Sequence, residues 1–360
     1  MDTATLLDSR SPQPTPGAAR VAEAAQPLYG ALDLGTNNCR LLVARPSHDG
    51  FRIVDSFSRI VRLGEGLALT GRLNPDAIER TLSALTVCRD KLRARGVTRM
   101  HLVATEACRQ ASNGAAFIDR VAEEVGLALD VVDRETEATL AASGCAALAD
   151  RQAEGVLLFD IGGGSSELVW LDGQRRCGTQ DENAVRERMR SWTSLPLGVV
   201  TLADRFGGHD VTDADFEAMV AFVSAAMAPF VDEARNNARC DRFHLLGTSG
   251  TVTTVAGVFL DLPRYDRRQV DGLWMSEAEV TLAMGRLRGM SFAARAAQGC
   301  IGPDRADLVL AGCAILEAIR RAFPCERLRI ADRGLREGIL MKMMLRDNAW
   351  ARLPGARTAW

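Results

Sequence analysis

Twice in this chain an apolar strand runs into aspartate, then an apolar residue, then glycine and a hydroxyl. The first instance is Leu28-Tyr29-Gly30-Ala31-Leu32 followed by Asp33-Leu34-Gly35-Thr36-Asn37-Asn38. The second is Val156-Leu157-Leu158-Phe159 followed by Asp160-Ile161-Gly162-Gly163-Gly164-Ser165. A second strand comes directly after each, at Arg40 to Ala44 and at Glu167 to Leu171. Strands this close in sequence pair as antiparallel hairpins. The restart is an internal duplication, and it predicts two similar α/β units that face each other with their glycine turns at the cleft between them.

The length of 360 residues with 47% hydrophobic content suits two domains that each bury a core. The expected division is a tail at 1–28, a first domain at 29–150, a second at 151–334, and a C-terminal helix and tail at 335–360. The tail carries Ser11-Pro12-Gln13-Pro14-Thr15-Pro16-Gly17, where the prolines lack the amides that a helix or central strand needs. No basic start followed by a continuous apolar run marks a secretory signal, and no later stretch is expected to reach transmembrane length. A net charge of -2 excludes a polybasic binder of nucleic acid or membrane, so any site for a polyanion must be locally basic. Nine cysteines without a C-x-x-C pattern and four scattered histidines point to reduced thiols in a cytoplasmic core, with no zinc site or disulfide framework.

Between the duplicated strands, Asn74-Pro75 starts a helix as N-cap and first residue, and Ile78, Leu82, Leu85 and Leu92 form its buried face. A strand at 100–104, a helix near 115–125, a strand at 129–132 and a helix from about 136 to 149 follow. The polar stretch 174–193, with Arg175, Arg176, Arg186, Arg188 and Arg190, reads as an exposed insertion with a helical segment. A helix at about 305–323, a strand at 328–331 and a final helix from Leu335 to about Arg346 complete the pattern.

A glycine turn at the carboxyl end of a strand offers backbone amides with no side chain in the way, a nest suited to phosphate oxygens. Gly35-Thr36-Asn37, Gly162-Gly163-Gly164-Ser165 and Gly247-Thr248-Ser249-Gly250-Thr251 all fit, although a tight turn also needs glycine for its own sake. Asp33 and Asp160 end their strands beside these nests, and Glu167 lies just beyond the second. They suit Mg²⁺, which takes one or two carboxylates together with substrate phosphates, or they cap their own turns.

These segments together resemble the exopolyphosphatase/guanosine pentaphosphate phosphohydrolase family, within the actin and sugar-kinase superfamily of ribonuclease H-like folds. The motifs that carry the resemblance are Asp33 to Asn37, Thr105-Glu106-Ala107-Cys108-Arg109-Gln110-Ala111-Ser112-Asn113, and Asp160 to Glu167. Pro196-Leu197-Gly198-Val199-Val200, Gly247 to Thr251 and Asp332-Arg333-Gly334-Leu335-Arg336-Glu337-Gly338 complete the set. The resemblance implies two actin-like α/β domains with the active site in the interdomain cleft. It implies an exopolyphosphatase that releases terminal orthophosphate from inorganic polyphosphate; guanosine pentaphosphate (pppGpp) hydrolysis, or non-catalytic sensing of these polyanions, is the alternative. Glu137 would be the general base, in the segment Asp133-Arg134-Glu135-Thr136-Glu137-Ala138. The residue before it is Thr136 where the family has glutamate, and Glu135 is the substitute if the register differs. Arg109 would bind phosphate, together with Thr36, Asn37, Ser165 and the turn glycines, and Asp33, Asp160 and Glu167 would hold Mg²⁺ or Mn²⁺. The chain matches the short form without a C-terminal extension, which predicts cleavage without strong processivity and leaves a homodimer open as its assembly.

Overall fold

The computed structural model describes residues 26–173, 182–237 and 242–353. Most of the expected N-terminal tail, Arg175 and Arg176 lie outside the described residues. The fold is α/β with two mixed sheets. The first holds β1 (Tyr29–Leu34), β2 (Asn38–Ser47), β3 (Gly50–Ile60), β4 (Arg99–Ala104) and β5 (Asp130–Val131), in the order β3-β2-β1-β4-β5. The second holds β6 (Gly155–Ile161), β7 (Ser166–Asp172), β8 (Met189–Leu195), β9 (Phe243–Thr248), β10 (Trp274–Ser276) and β11 (Arg327–Ala331), in the order β10-β11-β9-β6-β7-β8.

The duplication is present at the level of register. β1 pairs antiparallel with β2 and parallel with β4, just as β6 pairs antiparallel with β7 and parallel with β9. Asp33 lies opposite Arg40 and Asp160 lies opposite Glu167, so the two aspartates occupy equivalent rungs. Six residues lie between the partners in each hairpin, which is why the two turns have the same reach.

Among the longer helices, α1 (Pro75–Ala94) starts as expected, with the Asn74 side chain accepting from the Asp76 amide at 2.8 Å. α2 (Arg134–Cys145) begins two residues before its expected start because the Asp133 carboxylate accepts from the Thr136 amide at 2.7 Å. α3 (Val199–Phe206) and α4 (Asp213–Asn237) precede β9, and α5 (Gly250–Phe259) follows it directly. α6 (Val309–Ala322) starts four residues later than expected, since Pro303–Arg305 is a separate 3₁₀ turn, and α7 (Leu335–Arg346) ends the sequence of longer helices.

Two expectations are corrected here. The stretch 174–193 is not all exposed insertion: Met189–Leu195 is a third antiparallel strand on β7, and Ala184 and Val185 are buried. Its described arginines are engaged on the surface. Arg186 pairs with Glu135, Arg188 donates to the Asp172 carbonyl and Arg190 pairs with the Asp172 carboxylate. Second, α4 is 25 residues and long and apolar enough, by length and composition, to cross a membrane. Its apolar face, including Phe216, Met219, Val223, Met227 and Phe230, packs into the core of the second unit against α6 and β8. That packing explains the composition without a bilayer.

Chain order and packing diverge at two helices. α2 follows the first sheet in sequence but lays Ala138, Ala142 and Cys145 on Val156, Leu158 and Val169 of the second. α7 follows the second sheet but buries Ile339, Leu340 and Met344 with Tyr29, Ala31 and Leu42 of the first. The two helices pack on each other, so each unit is closed by a helix that the other unit's chain delivers.

Candidate active site

The strand ends of both sheets meet at a cleft of about 140 Å³. From the first unit it takes Asp33, Gly35, Thr36 and Asn37, and from the second Asp160, Gly162, Gly163, Gly164, Ser165 and Glu167. Glu137 enters from α2, Thr248 from the end of β9, and Ser249 and Gly250 from the start of α5. The sequence-predicted residues are therefore gathered in one place, with two exceptions.

Gly247 is inside β9 and does not line the cleft. A Cβ there would come within 2.6 Å of the Phe159 ring and 2.8 Å of Val252 Cγ1, so this glycine serves strand packing. Arg109 does not line it either. It is turned onto protein: Nε and Nη2 donate to Glu106 at 2.9 and 2.6 Å, and Nη1 donates to the Val132 carbonyl at 2.6 Å. A two-pronged grip on phosphate is thus not available to it in this arrangement, and its Nη2 instead lies 2.7 Å from Glu137 Oε2.

The turns are built for contact. Gly35 N and Gly162 N each close their own hairpin, onto Asn38 O and Ser165 O at 2.9 Å. The first turn then sits on the second: a Cβ on Gly163 would be 3.1 Å from Asn37 Cβ, and one on Gly164 would be 2.5 Å from Thr36 Oγ1. Two of the three glycines are therefore dictated by the meeting of the two turns. The third turn carries strain. Ser249 has φ 88°, a region that disfavours any side chain, and its hydroxyl donates to Ile161 O at 2.6 Å. That conformation points the chain into α5 with no side-chain cap on its first amides, an arrangement that favours anions.

Asp33, Glu137, Asp160 and Glu167 bring four carboxylates together at the cleft, Glu167 buried and the other three largely so. Asp160 is pushed up to about 7, by burial first and then by Glu167 and Asp33. Burial also raises Asp33, and raises Glu137 with Glu167 adding to it. Glu167 is raised by burial, while the Ser165 and Ser194 hydroxyls pull it back, Ser194 donating at 2.8 Å. Glu137 Oε2 is buried and has no hydrogen-bond donor, since the Arg109 contact is out of line for one. Glu135 points elsewhere, onto Arg186 at the surface, so the register places Glu137 in the cleft.

Among the described residues no three His, Cys, Asp or Glu side chains converge as a ligand set for a metal. Asp33, Asp160 and Glu167 are therefore not a finished cage. Their donor chemistry still fits a hard dication: oxygen ligands only, and buried negative charge that a cation would relieve.

Sequence reasoning missed four arginines in the cleft wall: Arg40, Arg305, Arg336 and Arg333, the last paired with Asp271. Arg40 and Arg336 both offset the charge of Asp33 and Asp160. Arg40 was readable as the residue paired with Asp33, and Arg336 stands in the motif Asp332 to Gly338. Arg40, Arg305 and Arg336 also line an adjoining cavity of about 670 Å³, where Arg59 and Arg267 join them beside Phe57 and Tyr265.

A model of the Ppx/GppA phosphatase family matches residues 42–347. Exopolyphosphatase 2 of Mycobacterium tuberculosis is 28% identical over 87% of this chain and 97% of its own length. The crystal structure of the Aquifex aeolicus member of the Ppx/GppA family superposes with a TM-score of 0.71 at 27% identity, covering 89% of this chain and 99% of that one. An exopolyphosphatase from Cytophaga hutchinsonii shares the fold with a TM-score of 0.78 at 24% identity, over 89% of this chain and 98% of its own.

Proposed function

Because the chain belongs to the Ppx/GppA phosphatase family, we propose that it is an exopolyphosphatase, releasing terminal orthophosphate from inorganic polyphosphate with Glu137 as general base. The observation that carries this reading is the placement of Glu137, whose Oε2 rests against Arg109 while the residue lines a cleft walled by glycine turns and arginines. A carboxylate so placed can take the proton of a water attacking phosphorus in line. Phosphoryl transfer asks for little more than positioning and charge stabilisation. The uncapped amides at the start of α5, with Arg40, Arg305 and Arg336, supply fixed positive potential for the phosphates. Asp33, Asp160 and Glu167 would hold Mg²⁺ or Mn²⁺ together with phosphate oxygens and water. When bound, that ion neutralises charge on the transferring phosphoryl group.

The test is phosphate release from tripolyphosphate and long polyphosphate by the purified protein. No release with any chain length would overturn the reading. Activity is expected to require the dication, because buried carboxylates and a polyanion repel without one. Full turnover in excess chelator would remove the metal from the scheme.

A second reading, pppGpp hydrolysis, is favoured by the adjoining cavity, where Phe57 and Tyr265 stand among arginines and could accept a purine. Comparing kcat/KM on polyphosphate and pppGpp separates the two.

Cleavage of long polymer is expected to be distributive. Processivity needs many simultaneous contacts that hold the polymer while its end leaves. Arg267, one of the cavity's cations, is already paired with Glu337 at 3.0 Å. On a gel, partly digested polymer should run as a smear that shortens with time. Full-length polymer beside free phosphate alone would contradict this.

A further inference from the structure

Glu106 is the deepest anchor of the charge network behind Glu137. It opens the short helix Glu106–Gln110 after β4 and is 1% exposed. Two arginines share it. Arg109 donates Nε and Nη2 to its Oε2, while Arg134 donates Nε to Oε2 at 3.2 Å and Nη2 to Oε1 at 2.6 Å. With Nη1 on the Val132 carbonyl, three of the five guanidinium N–H groups of Arg109 are committed.

The orientation has a consequence for Glu137. A guanidinium beside a single carboxylate settles into a two-pronged pair, because that is the strongest geometry the two can make. Such a pair would cap both Glu137 oxygens and remove the acceptor for a water's proton. The edge of Arg109 that would make it, Nε with Nη2, is the edge Glu106 holds. Arg109 is left touching Glu137 through Nη2 alone and out of hydrogen-bond line. Arg134, the first residue of α2, ties the helix that carries Glu137 to the same carboxylate.

We propose that Glu106 is a positioning residue: it restrains Arg109 so that Glu137 keeps an open oxygen toward the cleft. This rests on Glu137 being the general base. Glu106→Gln preserves shape and removes the charge. It is expected to lower kcat on tripolyphosphate about tenfold or more, with KM changed less than twofold. Glu106→Asp, which keeps the charge one methylene back, should fall between the two and serves if the glutamine variant folds poorly. Combined with Arg109→Lys, Glu106→Gln should add little to the loss, since the two act as one unit. Additive losses, or an unchanged kcat with only a lower melting temperature, would reduce Glu106 to a structural role and overturn the proposal.

A readout independent of turnover comes from ¹⁵N NMR of arginine side chains. The Arg109 Nε–H signal, identified by its loss in Arg109→Lys, should exchange slowly in the wild type and rapidly in Glu106→Gln. Slow exchange in both would overturn the proposal whatever the kinetics. A wild type that releases no phosphate would instead remove Glu137 as base, and the NMR result would then decide alone whether Glu106 holds Arg109.

Discussion

Glu137→Gln is expected to lower kcat by about 10²–10⁴-fold while KM changes little, the usual range for removing a general base. That corresponds to roughly 2.7–5.5 kcal/mol of lost transition-state stabilisation. The substitution keeps the shape of a buried side chain and discards only the charge. The charge is unwelcome to the fold, since burial and Glu167 both push the Glu137 carboxyl well above its ordinary range. Melting temperature should therefore hold or rise while turnover collapses, a combination that marks a residue retained for chemistry. Glu135→Gln is the matched control two residues earlier. Glu135 is half-exposed and pairs with Arg186, and such surface pairs contribute little, so kcat should change less than twofold. Steady-state phosphate release and thermal melts on both variants suffice. A larger loss for Glu135→Gln would move the base to that residue.

Much of the arrangement was legible in the residues because it depends on local pattern. The duplicated strand, aspartate and glycine unit placed Asp33 and Asp160 on matching rungs, and strand pairing then fixed Arg40 and Glu167 opposite them. What was not legible depends on contacts between distant segments. Gly247 follows an apolar strand just as Gly162 does, but its neighbour is the Phe159 ring, which no local pattern reveals. Arg109 stands in a motif that implies phosphate binding, but Glu106, three residues earlier, and the Val132 carbonyl claim its donors first. The 189–195 strand was hidden because it is an edge strand rich in polar residues, which in sequence reads as a solvated segment. α4 was passed over because it carries no motif, although its length and hydropathy stand out.

Gly338→Ala, a change of one methyl group, is expected to destabilise the protein by about 3 kcal/mol, the upper end of the usual overpacking cost. α2 and α7 cross backbone to backbone. A Cβ at Gly338 would stand 2.0 Å from Leu140 O, and one at Gly144 would stand 2.0 Å from Gly334 O. A side chain can rotate away from such a clash, but a carbonyl inside a helix cannot move without taking the helix with it. The same substitution at Gly285, on the exposed face of the helix Glu277–Gly289, meets nothing within 4 Å and should be neutral or stabilise by roughly 0.5–1 kcal/mol. Opposite signs for one chemical change would assign the cost to the crossing rather than to glycine itself. Turnover should suffer as well, because Leu140 is one turn beyond Glu137 on α2 and Gly334 opens the helix that carries Arg336 into the cleft. Displacing either helix by a few tenths of an ångström shifts the base relative to the cations that face it, and misplacement on that scale is costly to a reaction that depends on alignment. Denaturant titration of both variants, with kcat measured on the folded fraction, tests the two consequences together. Equal stability for the Gly338 and Gly285 variants would show that the helices part more easily than their contact implies.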